Sequence, residues 1–191
     1  MSAAPAPHDP LGRALARLAG ALAMAGGFIL IGIILVSSVS VIGRSLPVLA
    51  GALGLQLPLR GIPGDIEIVQ YGCAVAVFAF LPLCQLERGN VLVGVFTRHL
   101  PVRLRASFDL AANLLFLLLT LALAVQLGRG TLEKFANRDT SMVLRIPEGW
   151  PFALALAAAW LLVLVTAYTV ARSAREIHTG RAIGPPPSGE H

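Results

Sequence analysis

Charged residues are scarce in this chain: Asp, Glu, Lys and Arg make up 13% of its 191 residues, against 56% hydrophobic. Soluble domains carry about a quarter charged residues, so the deficit excludes an ordinary water-soluble fold and points to a membrane protein. A mean hydropathy of +0.77 agrees. Lysine is nearly absent, with Lys134 standing against fourteen arginines in a chain of net charge +5. Those arginines are strung between apolar blocks and never gather into one basic face, so no nucleic-acid surface is expected. Histidine is missing from the apolar blocks: His8, His99, His178 and His191 all lie outside them. A membrane cytochrome needs axial haem ligands inside its bundle, so that class is excluded. There are two cysteines, Cys73 and Cys84, within one apolar block. Eleven helical residues would separate them by about 16 Å, well beyond disulfide reach. No metal-ligand spacing and no glycine-rich phosphate loop appears, so neither enzyme chemistry nor a cofactor is expected.

What is present is a series of apolar runs. After a polar segment at 1–17, ending on Arg13 and Arg17, residues 18–43 carry no charge. That run is long enough to cross a hydrocarbon core of about 30 Å, and too long for a cleaved leader. Further spans are expected at about 66–86, 107–127 and 151–171, which makes an all-α membrane protein of four transmembrane helices with short interfacial helices. Between Arg44 and Arg60 lies SLPVLAGALGLQLPL, bounded by Pro47 and Pro58 and too short to span. It reads as an interfacial or re-entrant segment. Asp65 stands at the N-cap position of the second span. Residues 87–107 alternate apolar and basic positions and read as a helix lying in the interface, ending before Pro101. A mixed-charge loop occupies 128–150, and 172–191 is a polar tail ending in a proline run, expected to be disordered.

Orientation follows from the basic residues. With four spans, the N-terminal segment, the loop after the second span and the tail share one side, and together hold nine: Arg13, Arg17, Arg88, Arg98, Arg103, Arg105, Arg172, Arg175 and Arg181. The other side holds six, namely Arg44, Arg60, Arg129, Lys134, Arg138 and Arg145. The positive-inside rule then places both termini in the cytoplasm. No span carries a charge near its centre, where each would cost roughly 2.5–3.5 kcal/mol. Such a chain holds other proteins instead of coupling an ion by itself. The candidate contact residues therefore sit near span ends. Arg44 and Glu67 fall at the outer ends of adjacent spans, with Gln70 and Tyr71 about a turn after Glu67; they either pair or are separately solvated at headgroup level. Asp109, Asn113 and Thr120 form a polar stripe on the third span. It either meets a partner helix, or Asp109 stays wet and Thr120 bonds back to its own helix. Ala23 and Gly27 would let another backbone approach the first helix, and Trp150 is an interfacial anchor.

Several local patterns, taken in order, resemble one family. They are Arg44 closing the first span, Glu67 opening the second, Glu87-Arg88-Gly89 after it, and Leu100-Pro101 followed by Arg103-Leu104-Arg105. Ser141-Met142-Val143-Leu144-Arg145-Ile146-Pro147 with Trp150 completes the set. Over about residues 15–172 the chain resembles the small DctQ-type (Q) subunit of tripartite ATP-independent periplasmic (TRAP) transporters. It departs from that pattern after Arg88-Gly89, where Asn90, Val91 and Gly94 stand at the positions of a characteristic His, an aliphatic residue and an Asp, so no role of that His and Asp carries over. The resemblance implies a multi-pass protein of the bacterial inner membrane that is a scaffold and no enzyme. It implies a large membrane subunit carrying the substrate and sodium sites, and a periplasmic solute-binding protein delivering an organic acid such as a C4-dicarboxylate for symport. Arg44, Glu67, Gln70, Tyr71, Arg88, Asp109, Asn113 and Trp150 are then candidates for subunit or receptor contacts. Alternative readings are the small four-span subunit of a tripartite tricarboxylate transporter and an anchor subunit of a membrane redox complex.

Overall fold

The structure, a computed structural model, describes residues 10–54, 58, 60–87 and 102–179. Among the described residues four helices follow one another: α1 (Pro10–Ala52), α2 (Asp65–Leu86), α3 (Val102–Ala136) and α4 (Gly149–Thr179). All four are long and apolar enough to cross a membrane. Among the described residues there is no strand, only an isolated antiparallel bridge between Thr140 and Pro147.

The helices pack in the order α1, α2, α4, α3, and α1 meets α4 only lightly. Lipid tails are as apolar as leucine, so the hydrophobic effect does not drive such packing; small residues that let backbones approach do. The α1–α2 seam follows that rule. Ala19, Ala23 and Gly26 of α1 are buried, as are Ala76 and Ala79 of α2. A Cβ added at Gly26 would stand 3.0 Å from the Ala79 Cβ, so the seam admits only glycine there without a shift. The close approach falls on Gly26 and not on Gly27, beside which a Cβ would meet nothing within 4 Å. On α4 the buried face is Ala155, Ala158, Ala159, Leu162, Val165 and Thr166, with Ala124 of α3 against it.

Two element boundaries differ from the sequence expectation. Residues 45–52 continue α1, with Pro47 inside the helix, instead of forming a separate interfacial piece. The proline removes one donor only, and Arg44 just before it is held by a partner on α2. The chain leaves the helix at Gly54, whose φ is 76°. Asp65 is the first residue of α2, not its cap; the cap position belongs to Gly64, with φ 79° and no side-chain cap bond. A Cβ on Gly64 would also collide with the Leu144 side chain. The expected interfacial helix, with Arg88, lies outside the described residues as far as position 101. From Val102 the chain is already α3. The 22 residues of α2 measure about 33 Å, close to the thickness of a hydrocarbon core.

Candidate functional site

The apolar faces leave few polar side chains, and those that join one helix to another collect in two layers, one at each end of α2. At the end where α2 begins, Ser40 and Arg44 lie one turn apart on α1, facing α2. The Arg44 guanidinium donates to the Ser40 Oγ (3.1 Å) and forms an ion pair with the Asp65 carboxylate. Ser40 Oγ also accepts the Ile62 backbone N–H at 3.1 Å, which fixes the turn leading into α2. The second Asp65 oxygen accepts the Ile66 N–H at 3.0 Å. The expected Arg44–Glu67 pair is therefore replaced by Arg44–Asp65. Two residues advance a helix by about 200°, so only one of the two carboxylates can face α1.

Glu67 faces the other way. Its carboxylate accepts the backbone N–H groups of Val143 (2.9 Å) and Leu144 (3.0 Å). These belong to a short hairpin, residues 137–148, that joins α3 to α4. Its rungs are Ser141 N–H to Ile146 O at 2.9 Å and Glu148 N–H to Asp139 O at 3.0 Å. The Ile146 N–H donates to Ser141 Oγ at 3.2 Å. One turn deeper, the Tyr71 hydroxyl donates to Glu148 at 2.8 Å, and Lys134 bridges Glu148 (2.6 Å) and Asp139 (3.1 Å). Those contacts stabilise the ionised Glu148 carboxylate, Lys134 first and Tyr71 second, and hold its pKa below the ordinary glutamate value. The Lys134 ammonium also stands 5.9 Å from the Phe152 ring centre, within cation–π range. Trp150 meets Phe135 edge-on, with ring centres 6.1 Å apart, and remains 64% exposed.

The α3 terminus that opens this hairpin is closed by an arginine. Asp139 N–H reaches back to Lys134 O (3.1 Å) and Arg138 N–H to Phe135 O (3.3 Å), with Arg138 at φ 54°. This is a Schellman closure, in which the left-handed residue is usually glycine. Arg145, at φ 53°, is a second left-handed arginine in the same hairpin.

At the far end of α2, Gln85 is 3% exposed and reaches two helices at once. Its Nε2 donates to Asn113 Oδ1 on α3 (3.0 Å) and to Thr169 Oγ1 on α4 (3.2 Å). Asn113 Nδ2 donates to Ser173 Oγ at 3.2 Å, and Thr169 Oγ1 to Thr166 O at 2.8 Å. Four side chains thus tie three helices. Asn113, read as one member of a polar stripe, lies inside this network, whereas Thr120 bonds back to Leu117 O at 3.1 Å. Gln70 is exposed, and the side chain of Asp109 is outside the described residues. Sequence reasoning missed Gln85, Thr169, Ser173 and Glu148. The amide of Gln85, closing the apolar run of α2, was the signal that could have found the network. Among the described residues no group of three or more His, Cys, Asp or Glu could hold a metal ion.

A family model described as "Tripartite ATP-independent periplasmic transporters, DctQ component" matches residues 33–176. No curated protein and no solved structure matches the chain.

Proposed function

The chain belongs to the DctQ component family of the tripartite ATP-independent periplasmic transporters, and on that premise we propose that it is the static scaffold of a secondary-active importer of organic acids, C4-dicarboxylates among them. Its partners are a large membrane subunit that carries the substrate and sodium sites, and a periplasmic solute-binding protein. The observation that carries this reading is the way the polar groups are spent. Gln85, Asn113, Thr169 and Ser173 join α2, α3 and α4 at one end, while Arg44–Asp65 and Glu67 join α2 to α1 and to the hairpin at the other. Between the two layers the helices carry no charge, and α1 and α3 turn broad apolar faces outward, Phe28, Ile31, Leu35, Leu115 and Leu118 among them. Such a unit is braced at both ends and offers greasy sides to a neighbour or to lipid, which suits a fixed frame beside a moving transport domain.

In this reading the protein sits in the bacterial inner membrane with both termini cytoplasmic, as the arginine distribution supports. The Arg44 end then faces the periplasm and the binding protein. Copurification is the test: a tagged copy of the chain expressed with its large membrane subunit should retain that subunit through detergent extraction and size-exclusion chromatography. Separation of the two under conditions that keep each folded would refute the scaffold role. Single cysteines replacing Ser2 and Ser188, in a chain lacking Cys73 and Cys84, test the topology. Both should resist an impermeant maleimide in intact cells, and labelling of either would reverse the orientation.

A further inference from the structure

The 137–148 hairpin has features that its role as a connector does not need. Its tip is apolar and outside the helix packing: Met142 is 96% exposed, Val143 57% and Ile146 41%, and Trp150, also exposed, follows in the first turn of α4. Its height is fixed by α2. Glu67, two residues into that helix, holds the Val143 and Leu144 N–H groups, and the Leu144 side chain lies against Gly64. The tip therefore lies level with the start of α2, which a span of that length would put at the membrane boundary. In water a turn can leave its N–H groups to solvent, but near the acyl chains each must find a partner. Of the hairpin's N–H groups, those of Ser141, Val143, Leu144, Ile146 and Glu148 are paired within the protein.

The charges fit the same setting. Asp139 and Glu148 are engaged by Lys134, and Glu67 by the turn. That leaves Arg138 and Arg145, both exposed, whose guanidinium groups make neither a hydrogen bond nor an ion pair among the described residues. Both hold a left-handed backbone that glycine would adopt without strain, and departures of that kind collect where a side chain is needed. Apolar and aromatic groups framed by arginines at the boundary match a phospholipid headgroup, whose phosphate takes the guanidinium while the glycerol and upper acyl carbons take the tip.

We propose that the 137–148 hairpin is a phospholipid anchor, with Arg138 and Arg145 on lipid phosphates and Met142, Val143, Ile146 and Trp150 among the upper acyl carbons. That the leaflet is the outer one rests on the topology above; the lipid contact does not. Trp160→Phe leaves Trp150 as the sole tryptophan. Full-length protein of this kind in phosphatidylcholine vesicles should be quenched more strongly by lipid brominated near the glycerol end than by lipid brominated near the chain end. Added phosphatidylglycerol should be enriched around Trp150, and Arg138→Gln and Arg145→Gln should each lower that enrichment roughly fivefold. Quenching by acrylamide with none by brominated lipid would overturn the proposal, as would quenching that vanishes when the large subunit is co-reconstituted, which would make the tip a protein contact. Should Trp160→Phe fail to fold, a spin label on Met142→Cys, with Cys73 and Cys84 replaced by alanine, reads the same contact. Its relaxation should respond to oxygen more than to a water-soluble nickel chelate, and the reverse order would equally overturn the anchor.

Discussion

Replacing Gln85 by leucine removes the junction that joins three helices while nearly preserving side-chain volume. The loss includes two donated bonds, to Asn113 at 3.0 Å and to Thr169 at 3.2 Å. Hydrogen bonds between transmembrane helices contribute about 0.6 kcal/mol on average and about 1.7 kcal/mol at most, so Gln85→Leu should cost about 1–3 kcal/mol. The position is 3% exposed, which leaves water little chance to replace the missing donor for Asn113 and Thr169. Thr166→Val is the natural control. Thr166 is as deeply buried, but its hydroxyl donates to Leu162 O of its own helix at 2.8 Å, a carbonyl already served by the helix ladder. That change should leave stability nearly untouched. Reversible unfolding in mixed micelles titrated with a denaturing detergent, followed by far-ultraviolet circular dichroism, measures both. A cycle through Gln85→Leu and Asn113→Leu should be strongly non-additive, since the first change already strands the second residue. If Gln85→Leu is no more harmful than Thr166→Val, or the cycle is additive, the network does not brace the fold.

Three further outcomes follow from the other end of α2. Charge-neutralising cycles read as complex yield should show coupling between Arg44→Ala and Asp65→Ala and simple addition between Arg44→Ala and Glu67→Ala; the opposite pattern would restore the pairing that the sequence alone suggested. Arg138→Gly should raise stability in detergent by about 1 kcal/mol, because glycine removes the left-handed strain at the α3 closure; an unchanged or lower melting temperature would show that the arginine backbone is unstrained. Glu148 has a folded pKa below its ordinary 4.5, so the stabilisation from its clamp is complete above that value and is lost as pH falls through the lower folded one. The melting temperature of the wild type should therefore drop on acidification below pH 4.5 more than that of Glu148→Gln, and parallel profiles would contradict the clamp.

Much of the fold is legible in the chain itself, because four uncharged runs separated by polar breaks leave few alternatives once a bilayer must be crossed. The family resemblance is legible too, from Arg44, Glu67 and the Ser141–Pro147 pattern in order. The partners of individual residues are not, because they depend on how helices are rotated about their axes. Asp65 and Glu67 are two positions apart and face opposite ways, and nothing local says which one meets α1. Gly26 and Gly27 differ by about 100° of rotation, and only the first lies in the seam. Proline at 47 is a fair stop signal, yet α1 runs to Ala52 because a single missing donor does not end a helix that is held at Arg44. The hairpin was hidden for a related reason. Its turn is closed by a carboxylate 76 residues away, and its left-handed positions carry arginine, where a turn would ordinarily announce itself with glycine.

The central claim is that this chain frames transport without performing it, and reconstitution tests that most directly. Sodium-driven uptake of a labelled C4-dicarboxylate, with the binding protein present, should be absent from proteoliposomes holding this chain alone and should appear when the large membrane subunit is added. Uptake by this chain as the sole membrane protein would contradict the account, and so would full uptake by the large subunit without it.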